Sequence, residues 1–149
     1  MININININI SFTVPGQPQG KARPRIGKVG QYARMFTPAK TLEYECRIAL
    51  AGKQAMQGRS LMDGPVSVVI DLRYQIPASW AKKKQAQALA GELQPTTKPD
   101  ADNCVKAIFD GLNGVTWKDD VQVTEVTARK RYAEKPGVYV EITPAEPQA

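Results

Sequence analysis

The residues best suited to chemistry lie in two short stretches, Lys98-Pro99-Asp100-Ala101-Asp102-Asn103-Cys104-Val105-Lys106 and Trp117-Lys118-Asp119-Asp120. Asp100 and Asp102 stand two apart after a proline. In an extended segment that spacing points both carboxylates the same way, so that they can share one hard cation. If Asp102 opens a helix, Lys106 lies one turn on over the same face, within reach of a phosphate. Asp119-Asp120 follows that helix and its loop, where a returning chain could supply a third carboxylate. Carboxylates with a lysine and no nitrogen ligand suit Mg²⁺, which takes oxygen donors, keeps several waters and completes its octahedron with phosphate. The reaction class is then phosphodiester hydrolysis.

Each residue also has a plainer use. Asp-Asn at a helix start is common capping chemistry, and Asp119-Asp120 could open a strand through an Asx turn. Lys106 has Asp102 at i−4 and Asp110 at i+4, an ordinary helix ion pair; Asp110 is read as that exposed partner and left out of the site. No D-x-D-x-D-G run with a terminal Glu is present, which excludes an EF-hand loop.

Composition narrows the chemistry further. The 149 residues, 42% of them hydrophobic, suit one domain spanning 1–149 with its own core. The 20 Lys and Arg against 14 Asp and Glu leave a net charge of +6, which favours a polyanionic partner. Histidine is absent, so the commonest general base, the usual zinc nitrogen ligand and every Ser-His or Cys-His pair are excluded. Cys46 and Cys104 form no C-x-x-C pattern and read as small, buried, reduced thiols. The Ile-Asn start has neither a basic opening nor an apolar run, unlike a signal peptide, and no stretch has the length of a membrane span. A cytoplasmic protein is expected.

The elements that must hold these residues follow from pattern. Ile2 to Val14 alternates as a strand with one buried face. Pro15 to Lys40 reads as a basic loop carrying Lys21, Arg23, Arg25, Lys28 and Arg34, with Tyr32 and Phe36 nearby, able to hold DNA phosphates. A helix is predicted from Pro38 to Met56, its inward stripe Leu42, Cys46, Ala49 and Leu50. Val66 to Tyr74 is a strand. Ser79 caps a short helix over Trp80 to Ala90, whose lysines Lys82, Lys83 and Lys84 face solvent.

After a loop from Gln94 to Pro99, Asp102 or Asn103 caps a helix with Val105, Ile108, Phe109 and Leu112 inward, ended by Asn113-Gly114. Val121 to Tyr132 and Val138 to Ile142 close the chain as a hairpin around Lys135-Pro136-Gly137, and residues 144–149 fray. The fold class is α+β, a two-layer domain whose mixed, mainly antiparallel sheet of about four strands is covered by helices on one face.

The sequence also resembles the RusA family of Holliday-junction resolvases. The resemblance rests on Lys98 to Lys106, Phe109-Asp110-Gly111-Leu112-Asn113-Gly114 and Trp117-Lys118-Asp119-Asp120-Val121-Gln122-Val123, with Lys21-Ala22-Arg23-Pro24-Arg25 and Thr37-Pro38 fitting the N-terminal half. It implies a Mg²⁺-dependent homodimer, with Mn²⁺ a possible substitute, that nicks four-way DNA junctions symmetrically with one active site per subunit. Position by position, Asp100, Asp102 and Asp120 become the metal carboxylates and Lys106 the catalytic lysine, Asp119 assisting from outside. Gln94-Pro95-Thr96-Thr97 stands where many phage members carry a histidine. Two further readings use the same residues: a non-catalytic branched-DNA-binding module, and a nuclease acting on flaps or forks.

Overall fold

A computed structural model describes residues 9–22, 25–30, 32–36 and 38–149. The part of the expected N-terminal strand from Ile2 to Ile8 lies outside these residues; within them β1 runs Ile10–Pro15, with Ile10 and Val14 buried. The remaining strands are β2 (Arg25–Val29), β3 (Tyr32–Phe36), β4 (Val66–Gln75), β5 (Val123–Ala133) and β6 (Gly137–Pro144). The helices are α1 (Ala39–Met56), α2 (Lys82–Leu89) and α3 (Ala101–Leu112). Among the described residues no helix is long and apolar enough to cross a membrane.

The main sheet runs β1-β6-β4-β5. β6 is antiparallel to β1 and β4, while β5 is parallel to β4, giving the mixed, mainly antiparallel sheet expected. The expected closing hairpin does not form, because β5 and β6 flank β4 on opposite sides and the chain between them crosses the end of β4. Alternation in β4 decides the layers. Val66, Val68, Ile70, Leu72 and Tyr74 are buried and join a core with Tyr44 and Ile48 of α1 and Cys104, Ala107, Ile108 and Leu112 of α3. Val69, Asp71 and Arg73 face the other way, onto an open side. Helices therefore cover one face, as the α+β reading requires.

The basic stretch after β1 is more than a loop. β2 and β3 pair antiparallel as a separate two-stranded sheet, with Val29 opposite Tyr32 and Gly30 in the turn at φ +64°. A two-residue turn favours a residue that accepts positive φ at no steric cost, which glycine does. The density of Gly, Pro and basic residues masked the alternation.

Helix α1 has nearly the expected bounds but a different inner face. Thr41, Tyr44, Ile48, Gly52 and Met56 are buried, whereas Leu42 and Leu50 are 48% and 57% exposed. Cys46, expected inside, is exposed. The close crossing with α3 explains the choice. A Cβ on Gly111 would lie 3.0 Å from the Glu45 carbonyl oxygen, and one on Gly52 would lie 2.7 Å from Leu112 Cδ2. Small residues let these backbones approach, and that contact turns the larger Leu42 and Leu50 outward.

Two caps differ from expectation. Helix α2 starts after Ala81 with no side-chain cap, so Ser79 has no capping role; the Gln85 amide donates to the Trp80 carbonyl at 2.7 Å instead. Helix α3 is capped at Asp100, ahead of the expected Asp102 or Asn103. Ile108 and Leu112 are buried on its inner face as expected, joined by Cys104, Ala107 and Gly111, while Val105 and Phe109 pack at the margin.

Candidate functional site

The acidic pair stands at the start of α3, and its setting differs from the extended segment the spacing suggested. Asp100 is the N-cap, extended at φ −76° and ψ 155°, and Asp102 already lies in the first helical turn. The pairing survives because a sharp change from extended to helical backbone brings the two side chains together. The Asp100 carboxyl is held below its ordinary value, first by hydrogen bonding with the Asp102 side chain, then by its own backbone N–H, with smaller help from Asn103 and Lys130. The Asn103 amide donates to Asp100 Oδ1 at 3.1 Å. Asp100 makes no side-chain capping bond to the helix backbone, so capping leaves its oxygens available.

The turn carrying the pair is fixed from beneath by two strands. Tyr74 of β4 donates its hydroxyl to the Pro99 carbonyl, and Lys130 of β5 donates to the Thr97 carbonyl at 2.8 Å. Lys130 Nζ also sits 4.8 Å from the centre of the Tyr74 ring. The two side chains grip carbonyls on either side of Lys98 and so set where Asp100 emerges. On the other flank Gly20 packs against the turn, where a Cβ would lie 3.1 Å from Asn103 Cβ, and the Lys21 N–H donates to the Asn103 carbonyl at 3.1 Å. Between these walls opens a cleft of about 680 Å³ lined by Lys21, Lys40, Lys98, Pro99, Asp100 and Asn103. Tyr74, Lys130, Asn103 and Gly20 were not singled out as site residues; the Arg129-Lys130-Arg131 run was the available signal for Lys130.

Lys106 lies one turn beyond Asp102 on the exposed face of α3. Among the described residues it has no carboxylate within ion-pair distance, so the ordinary helix pair is not made. Asp110, taken for its partner, bonds Lys21 Nζ at 2.7 Å, and Glu45 holds the same ammonium at 2.7 Å. Burial lowers the Lys21 pKa, but these two carboxylates outweigh it and leave the group raised. Lys21 thus ties the segment after β1 to α1 and α3, with its charge balanced locally. Lys28 is exposed on β2; Arg23 lies outside the described residues, as do the side chains of Arg25 and Arg34.

Asp120 is elsewhere. It opens a 3-10 turn, Asp120–Gln122, and its Oδ2 accepts from the Asn113 amide at 3.3 Å, at the far end of α3. Twelve helical residues separate that end from Asp100, roughly 18 Å at 1.5 Å per residue. Among the described residues no group of three His, Cys, Asp or Glu side chains converges as a cation site. Asp120 is nonetheless firmly placed. Asn113 accepts from the buried Trp117 indole N–H at 2.7 Å, and Trp117 meets Phe109 edge to face at 5.5 Å. Asp119 caps the turn by accepting from the Val121 N–H at 3.0 Å in a capping box with Gln122, whose amide donates to the Met62 and Gly64 carbonyls. Of the acidic pair, Asp119 is therefore structural and Asp120 keeps an available oxygen.

An α+β domain that presents two exposed carboxylates beside a lysine, in a chain of +6 net charge, has the donor chemistry of a nuclease. The chain belongs to the endodeoxyribonuclease RusA family, whose profile matches residues 15–143. It is also 39% identical over 133 residues to YqaN of Bacillus subtilis (strain 168), an uncharacterised protein, covering 88% of this chain and 93% of the relative.

Proposed function

We infer that this chain is a Mg²⁺-dependent endonuclease that resolves four-way DNA junctions by paired nicks, working as a homodimer. The observation that carries the reading is the Asp100 and Asp102 pair, neighbours at the start of α3, with Asp100 unused by the helix cap. Two carboxylates with water and phosphate in the remaining positions fit Mg²⁺, which usually takes one or two from the protein. Bound by Asp100 and Asp102, the ion would supply Lewis-acid withdrawal of charge from the phosphate and activation of water. Lys106, on the same face, offers its ammonium to a phosphate oxygen as negative charge develops. The cleft beside Asp100 brings Lys40 and Lys98 to the flanking backbone. Free Cys46 and Cys104 agree with a reducing, cytoplasmic setting.

Asp120 constrains the assembly. At roughly 18 Å along α3 it cannot share a cation with the pair on its own chain. Its place in the site then requires a second copy, whose Asp120 meets the first copy's Asp100 and Asp102. The two active sites of the dimer are in this reading shared between chains.

The test is cleavage of a synthetic four-way junction alongside fork, flap and linear duplex. Cutting is expected with Mg²⁺, fastest on the junction, and absent in EDTA. Asp102→Asn is expected to lower cutting by at least about a hundredfold while junction binding persists, since it deletes a ligand charge and leaves the basic surface. Full activity in EDTA would end the mechanism, and equal rates on all substrates would end the junction assignment.

A further inference from the structure

We propose that the open sheet face along β5 is a second DNA-contact surface, one that binds the phosphate backbone of duplex leading away from the cut strand. The proposal rests on DNA being the substrate and is independent of junction preference. Arg129, Lys130 and Arg131 are consecutive on β5, the edge strand of the sheet. Alternation sends them to opposite faces. Lys130 lies on the helix-covered side, bonded to Thr97 beside the acidic pair. Arg129 and Arg131 lie on the open side opposite Asp71 and Arg73 in register. The basic edge therefore runs without a break from the acidic turn around to the uncovered face.

That face has the chemistry of a backbone-binding groove. A shallow groove of about 320 Å³ is lined by Asp71, Arg73, Thr127, Arg129, Arg131 and Tyr139. Arg129 has no carboxylate within ion-pair distance among the described residues. Arg73 and Arg131 share one carboxylate, Asp71, at 3.0 and 2.8 Å, which leaves donors of both guanidiniums unused. Arg73 also lies over the Tyr139 ring at 5.6 Å, a contact that steadies the guanidinium plane. Arg129 and Arg131 are two residues apart on one face, roughly 6.7 Å, a spacing on the scale of successive phosphates along a strand. A second copy of the chain is the competing occupant, and Val69 also lines the groove, but the same surface carries three arginines against the single carboxylate of Asp71, an excess of cationic donors that matches an anion.

The experiment measures binding of a labelled linear duplex and a four-way junction by fluorescence anisotropy in EDTA across a salt series. Arg129→Ala is expected to weaken binding of both DNAs several-fold and to reduce the slope of log K against log salt by about one, the signature of a lost phosphate contact. Arg129→Lys should retain the slope. Asp71→Asn, which releases Arg73 and Arg131, should tighten binding, an outcome that misfolding cannot produce. Arg59→Ala removes an equal charge from an exposed turn after α1 and should leave the slope as in the wild type. An Arg129→Ala slope equal to that of Arg59→Ala, or an Arg129→Ala change in sedimentation mass with unchanged DNA binding, would overturn the proposal. Wild-type binding without cleavage in Mg²⁺ would count against the catalytic reading alone.

Discussion

At the scale of single residues, the turn that carries Asp100 is positioned by side chains outside the acidic pair. Tyr74→Phe removes the hydroxyl that holds the Pro99 carbonyl, a neutral hydrogen bond worth about 1 kcal/mol of stability, to be measured by urea unfolding. Its larger effect is expected on turnover: kcat should fall while DNA affinity in EDTA stays at the wild-type value, because the turn carrying Asp100 loosens and the basic surface does not change. Buried Cys104 gives a pH dependence with a definite sign. Burial, the main cause, pushes its thiol from 9.0 up to about 11, and burial likewise pushes the Tyr44 hydroxyl from 10.0 up to about 12. Both protonated forms are favoured in the folded state, so their stabilisation is intact below pH 9 and is lost as the pH rises through 11 to 12. Thermal melts should show a falling midpoint across that window. At pH 8 a thiol reagent should modify exposed Cys46 quickly and Cys104 only after unfolding.

At the scale of elements, α3 is the member that everything else positions. Its outer face carries Asp102 and Lys106, its N-terminus Asp100, and its C-terminus meets Asp120 through Asn113. Its inner face is set by the crossing with α1. Gly111→Ala places a Cβ 3.0 Å from a backbone carbonyl, which has no rotamer to move aside, whereas the tight contact of Gly52→Ala is with the end of the Leu112 side chain, its neighbours Thr116 and Val115 lying at 3.4 and 3.5 Å. Overpacking typically costs about 1–3 kcal/mol, offset by up to about 1 kcal/mol of helix propensity gained by alanine. Gly111→Ala should therefore be net destabilising by about 1–2 kcal/mol in denaturant unfolding, and Gly52→Ala nearer neutral.

At the scale of the whole molecule, the proposal that Asp120 joins the acidic pair only from a second copy makes a direct prediction. Asp100→Asn and Asp120→Asn proteins should each be inactive alone. Mixed and allowed to exchange subunits, they should regain activity, because one heterodimeric site then holds all three native carboxylates. No recovery despite demonstrated exchange would exclude a shared site. Much of the architecture behind this was legible beforehand. Period-two alternation located β4 and β6, and apolar periodicity located α3 and the span of α1 though not its inner face, while the absence of histidine directed attention to oxygen ligands. Asp100 and Asp102 of the Lys98 to Lys106 motif, close in sequence, are also neighbours in space.

What the chain's order of residues determined, then, was the chemistry on offer: carboxylates and lysines in a basic α+β protein of the RusA family. Tertiary structure decided where that chemistry is assembled. Which face of α1 turns inward, which carboxylate neutralises Lys21, and where β5 lies in the sheet depend on contacts between segments distant in sequence. Local periodicity carries no information about these. The same holds for Asp120: eighteen residues past Asp102 in sequence, it could have folded back to the pair, and a rigid twelve-residue helix with its Asn113 and Trp117 contacts holds it at the opposite end.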